Sequence, residues 1–74
     1  MGEWIPVTEE LPVILMNGSS ENVLVTICLE NFAKYVCIAR LDMGENGERY
    51  WIRNYQYLEN VVAWMSLPFP YEGL

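Results

Sequence analysis

VVAWMSLPFP, residues 61–70, is the most apolar run of the chain. Its valines, Trp64 and Met65 favour a pleated, half-buried surface. Alternation sets Val61, Ala63 and Met65 on one face and Val62 and Trp64 on the other. Both faces are apolar, which predicts a strand covered on both sides or placed at a dimer contact. Pro68 and Pro70 have no N–H to donate, so regular pairing is expected to stop near Leu67. A buried helix fits worse, because ten residues holding two Val and two Pro are a poor helical sequence.

Upstream, residues 23–30 (VLVTICLE) and 35–42 (YVCIARLD) alternate in the same way. Val23, Val25, Ile27 and Leu29 share one face of the first run, and Tyr35, Cys37, Ala39 and Leu41 share one face of the second. Residues 31–34 turn the chain between them, so the two runs predict an antiparallel hairpin. Asn46-Gly47 offers a type I′ turn, and Arg49–Arg53 (RYWIR) follows as a third meander strand with Trp51 between two arginines. Residues 54–60 have no clean period and read as a loop. Near the start, residues 3–7 (EWIPV) read as a strand that Pro6 confines to an edge. Thr8 with Glu9 and Glu10 signals one helical turn, limited by Pro12. Asn17-Gly18 opens the clearest loop, residues 17–22. The fold expected is mainly β: one domain over residues 1–74, a twisted antiparallel meander of four to five strands with one helical turn at most. Trp4, Val25, Ile27, Cys37, Ala39, Trp64 and Met65 are expected in its core, with Trp4 and Trp64 in one cluster.

A chain of 74 residues hides only about 60% of its unfolded surface, yet this one carries three Trp, five Tyr and two Phe. Some of that apolar surplus is expected on the surface, as a partner site or a self-association patch. Four basic and ten acidic side chains give a formal charge of −6. No base precedes Lys34, whereas Glu3, Glu9, Glu10, Glu21 and Glu30 do. Such a balance argues against direct binding of nucleic acid or an anionic membrane and is compatible with a basic protein partner. No charged-then-apolar leader pattern and no membrane-length apolar run is present, so a cytoplasmic location is expected. Cys28 and Cys37 fit free thiols in a reducing compartment, with a cross-strand disulfide as the alternative.

The chemistry of the side chains is restrictive. The chain has no His, which removes the commonest general base and metal ligand and any Ser–His or Cys–His pair. Two cysteines are too few for a structural zinc site. Residues 42–48 (DMGENGE) lack the spacing and closing Glu of a calcium loop and read as a solvated turn. Glu9-Glu10 is the one adjacent acidic pair, and acids are expected at a helical N-terminus for dipole reasons alone. No catalytic residue, metal or cofactor is therefore expected.

The pattern W-I-x-V-x-x-x-L-P at residues 4–12, then Val23-Leu24-Val25, Tyr50-Trp51, and V-x-x-W-M-x-L-P-x-P at residues 61–70 resembles a domain-of-unknown-function family. Its members are small phage and prophage proteins that often end in a Trp-Met-Pro-Leu-Pro signature. The family usually has His before this Trp and Pro after the Met; here Ala63 and Ser66 stand there. The resemblance implies a phage-encoded accessory protein in a bacterial cytoplasm, with no assigned mechanism. Together with the missing catalytic groups, it suggests a non-enzymatic protein that binds and inhibits a host protein of a defence or nucleic-acid-processing system. Glu3, Glu9, Glu10, Glu21 and Glu30 would then stand where phosphates do, with Trp51 or Tyr57 as anchors. The alternative is a structural, self-associating module, a homodimer without inhibitory role.

Overall fold

The computed structural model describes residues 3–68. It places six strands there: β1 (Ile5–Pro6), β2 (Val23–Cys28), β3 (Lys34–Met43), β4 (Arg49–Arg53), β5 (Gln56–Leu58) and β6 (Val61–Ser66). They form one antiparallel sheet in the order β1-β6-β2-β3-β4-β5, with no helix among the described residues. The mainly β expectation holds, with six strands where four to five were expected. Pairing stops near Leu67 as expected, since β6 ends at Ser66; Pro70 and the tail 71–74 lie outside the described residues.

The β2–β3 hairpin follows the alternation. Val23, Val25 and Ile27 are buried on the inner face, and Ala39 and Leu41 join them from β3. Cys37 lies opposite Val25 and packs against this core, whereas Cys28 lies opposite Lys34 on the other face. Both thiols are free, and their opposite faces exclude the cross-strand disulfide.

β6 sits between β1 and β2, so both of its backbone edges are paired. Trp64, opposite Val25, is buried on the inner face; Met65, opposite Leu24, is buried on the outer one. The simple alternation fails at one point. The ladder pairs Thr26 with Ala63 but Ile27 with Val61, so Val62 is the extra residue of a β-bulge. The bulge returns Val61 to the face of Trp64, where it packs on the core, and leaves Val62 exposed. The Val62 carbonyl accepts a hydrogen bond from Val7 N–H at 3.0 Å, extending the edge begun by β1. Pro6 does sit on that edge strand, where its missing donor is harmless.

Trp4 is a correction: it is 41% exposed and outside the core. Ile5 is the residue aligned with Trp64, so alternation turns Trp4 to the opposite face and the two tryptophans do not cluster. The helical turn is a second correction. Glu9 and Glu10 both donate to the Pro6 carbonyl, at 2.9 and 3.3 Å, in a single bend that Pro12 prevents from propagating.

Residues 54–60 are a third correction, since a two-residue hairpin at Asn54-Tyr55 creates β5. Only Glu59 and Asn60 then connect β5 to β6, although three strands lie between them in the sheet. In a flat sheet that offset is about 19 Å. Three Cα steps reach about 11 Å. The sheet therefore curls, bringing Leu58 and Val61 to the same core as Leu41, Trp51 and Trp64, without closing into a barrel. β3 carries the curl by changing partner midway, pairing with β2 through residues 34–39 and with β4 through residues 40–43. Residues 18–20 continue the β2 side. Ser20 N–H donates to the Leu41 carbonyl, and the buried Ser20 hydroxyl accepts from Leu41 N–H at 2.9 Å and donates to the Glu21 carbonyl.

A candidate protein-interaction surface

Three loops of this chain share one backbone plan. In each, the first N–H donates to the carbonyl four residues on: Leu15 to Ser19, Leu29 to Ala33 and Gly44 to Glu48. In each, the fourth residue donates back to the first carbonyl, and that fourth residue has positive φ: Gly18 at 87°, Phe32 at 66° and Gly47 at 84°. Asn precedes it every time, and Asn17 and Asn31 each accept from the N–H two residues on. A Cβ built on Gly18 or Gly47 would meet no atom, so glycine is there for its backbone freedom and not for packing. The second loop puts an aromatic side chain in the same left-handed position, and Phe32 is 83% exposed. The first and third loops were legible as Asn-Gly; the Asn31-Phe32 equivalent was not, although its Asn was the available signal. Asn46-Gly47 is accordingly not the type I′ turn expected, since only Gly47 of the pair has positive φ.

The type I′ turn lies one hairpin later. Asn54 and Tyr55, at φ 51° and 65°, link Arg53 to Gln56, and a bulky residue occupies a site that favours Gly. Tyr55 is 96% exposed. Two aromatic rings are thus held in water on backbone that aromatics avoid. Next to Tyr55 lies an open groove of about 640 Å³, walled by Val36, Ile38 and Arg40 of β3 and by Ile52 and Arg53 of β4. Val36 and Ile38 are about half exposed. Beyond the groove, Tyr57 stands exposed and meets Tyr50 edge-to-face, with ring centres 5.2 Å apart.

Trp51, a proposed anchor, is 9% exposed and belongs to the core, because the curl turns its face of β4 inward. Tyr57 keeps an exposed position. Glu3, Glu9, Glu10, Glu21 and Glu30 are all exposed. They are not one patch. The Glu10 carbonyl accepts the Trp64 indole N–H at 2.9 Å, and Glu21 borders the hollow beside Trp64. Glu30 lies past the far end of β2, whose six residues span about 20 Å.

The bases are also regrouped: all four lie on β3 and β4. Arg40 pairs with Asp42 at 2.8 Å, the one ion pair among the described residues, which leaves Arg49 and Arg53 without a carboxylate partner there. The Arg40 hydrogen bond holds the Asp42 carboxyl below the usual carboxylate range, against partial burial and with help from Ser19, and raises Arg40. Burial, reinforced by Glu48, pushes the Tyr50 phenol up.

Among the described residues no three His, Cys, Asp or Glu side chains converge as metal ligands. Among the same residues every buried side-chain polar atom has a partner. The arrangement offers apolar contact, backbone hydrogen bonds and fixed charge. In comparisons with known proteins, no family model, no curated protein and no solved structure matches this chain.

Proposed function

We propose that this chain is a non-catalytic protein-binding domain whose contact surface is the exposed aromatic and aliphatic side of β3–β5, flanked by Phe32 and Tyr55. The observation that carries the reading is Phe32. Two sister loops use glycine at its position, and folding alone gains nothing from a solvent-exposed ring on left-handed backbone. A ring held there suits an anchor, since aromatic residues and Arg dominate binding energy at protein interfaces. The family resemblance supplies the setting proposed for it: a phage-encoded accessory protein acting in a bacterial cytoplasm on, and inhibiting, a host defence or nucleic-acid-processing protein. The test is affinity capture from phage-infected host lysate. A specific partner that is lost with Phe32→Ala or Tyr55→Ala, at unchanged stability, supports the reading; a partner indifferent to both sinks it.

A second reading keeps the charge-based mechanism. Glu3, Glu9, Glu10 and Glu21 are exposed, and none forms an ion pair among the described residues. They would meet a basic partner surface that normally holds nucleic acid. Capture that weakens steeply with salt and is abolished by charge reversal of these acids favours this reading. Self-association is the remaining alternative, and sedimentation over a dilution series reveals it as a concentration-dependent mass.

A further inference from the structure

β3 is paired unevenly. Its residues 34–39 have β2 on one side, but β4 accompanies only residues 40–43 on the other, because the chain turns away at Asn54-Tyr55. The direction of each backbone group follows from the hydrogen bonds. Leu41 and Met43 direct their N–H groups toward residues 18–20, the β2 side. In an antiparallel strand the direction alternates, so the N–H and C=O groups of Lys34, Val36 and Ile38 point to the β4 side. No backbone partner meets them there among the described residues.

Proteins blunt such edges with charge, proline or a cover. This edge has Lys34 at one end, while Val36 and Ile38 expose aliphatic side chains along it. The groove bordered by Tyr55 and Arg53 lies in line with it. We infer that the open edge of β3 at residues 34–38 is a strand-addition site for an extended, carboxylate-bearing segment of another protein. The segment would continue the line of β4 for about five residues, some 17 Å.

The occupant's chemistry comes from charge. Residues 34–41 contain no acid, and Lys34 and Arg53 bracket the edge with no ion pair among the described residues. An acidic strand satisfies both. A second copy of this chain does not: pairing two β3 edges would set these bases against themselves, between two chains of net charge −6 each. The inference rests on the protein-binding reading above but is tested separately.

The probe is a displayed library of random twelve-residue peptides selected on the full chain. The expected outcome is enrichment of acidic, β-branched sequences. Bound peptide should shift the amide resonances of Val36 and Ile38 and slow their hydrogen exchange. Backbone N-methylation of the peptide should abolish binding. Arg53→Glu should weaken it by about ten-fold or more at an unchanged urea midpoint; Lys34→Glu, at the other end, is the second variant. Failure to enrich any peptide, binding that maps elsewhere, indifference to both charge reversals, or protection of Val36 and Ile38 by a second copy at high concentration each overturns the inference. Capture that depends on Phe32 and Tyr55 would survive such a failure, so the two proposals fall apart from one another.

Discussion

A side chain, not a torsion angle, separates Phe32 from Gly18 and Gly47, since all three have positive φ. All three occupy the same place in the same loop, but only Phe32 carries a Cβ crowded against its own backbone. Phe32→Gly is expected to stabilise the fold by about 1 kcal/mol, the relief of left-handed strain less the extra freedom of an unfolded glycine. Urea denaturation checks it: a higher midpoint with unchanged slope is the expected result, and a lower one would show that the ring is anchored within the fold. Asp42 gives a residue-scale pH dependence. Its folded carboxyl is held below the unfolded value by Arg40, so it binds fewer protons folded than unfolded in acid. Its stabilisation is present above about pH 4 and is lost as pH falls through the lower folded value. Asp42→Asn should lower stability slightly above about pH 4 and leave it unchanged in acid, where the carboxyl is already neutral, so the acid limb of the stability–pH curve flattens; the effect is small because both partners are partly exposed. An unchanged acid limb would show that other carboxylates carry it.

At the scale of elements, β3 is held on its β2 side by two different devices: the β2 ladder and the short segment around Ser20. Ser20→Ala removes the acceptor of a buried Leu41 N–H. The expected cost is about 1–3 kcal/mol, more than a surface Ser→Ala change. Ser66→Ala, at the exposed end of β6, is the control for the urea measurement. Element identity was largely legible before the fold was known. The alternation of residues 23–28 and the runs around Cys37 and Trp51 announce strands directly. β5 was hidden because its three residues are too short for a period and its turn, Asn54-Tyr55, lacks the glycine that marks type I′ hairpins. The bulge at Val62 was hidden for a related reason: a run apolar on both faces shows no break when one residue is added.

For the whole molecule, β6 is the closing piece. It is the last strand among the described residues, yet it pairs with both β1 and β2 and delivers Trp64 to a core that includes Trp51 and Leu41. Deleting residues 61–74 is expected to unfold the entire chain, not merely one edge, because the curled sheet would lose the strand that joins β1 to β2 and, with it, Trp64 from the core. Loss of amide NMR dispersion and of any cooperative urea transition would confirm it; a folded residual meander of β2–β5 would refute it. Strand pairing between residues 23–28 and 61–66 is far apart in sequence, so this closure follows the local hairpins in any folding order that minimises loop entropy.

The sequence by itself determined that this is a small β protein without histidine chemistry, which strands carry its core, and where two Asn-Gly loops turn. Those are local matters, written in alternation and in side-chain inventory. Only the tertiary structure decided that Trp51 is inside and Trp4 outside, that Phe32 sits where glycine belongs, and that half of β3 keeps an open edge bracketed by Lys34 and Arg53. Each of these depends on which strand lies beside which, and register across the curled sheet is set by contacts that no stretch of sequence contains.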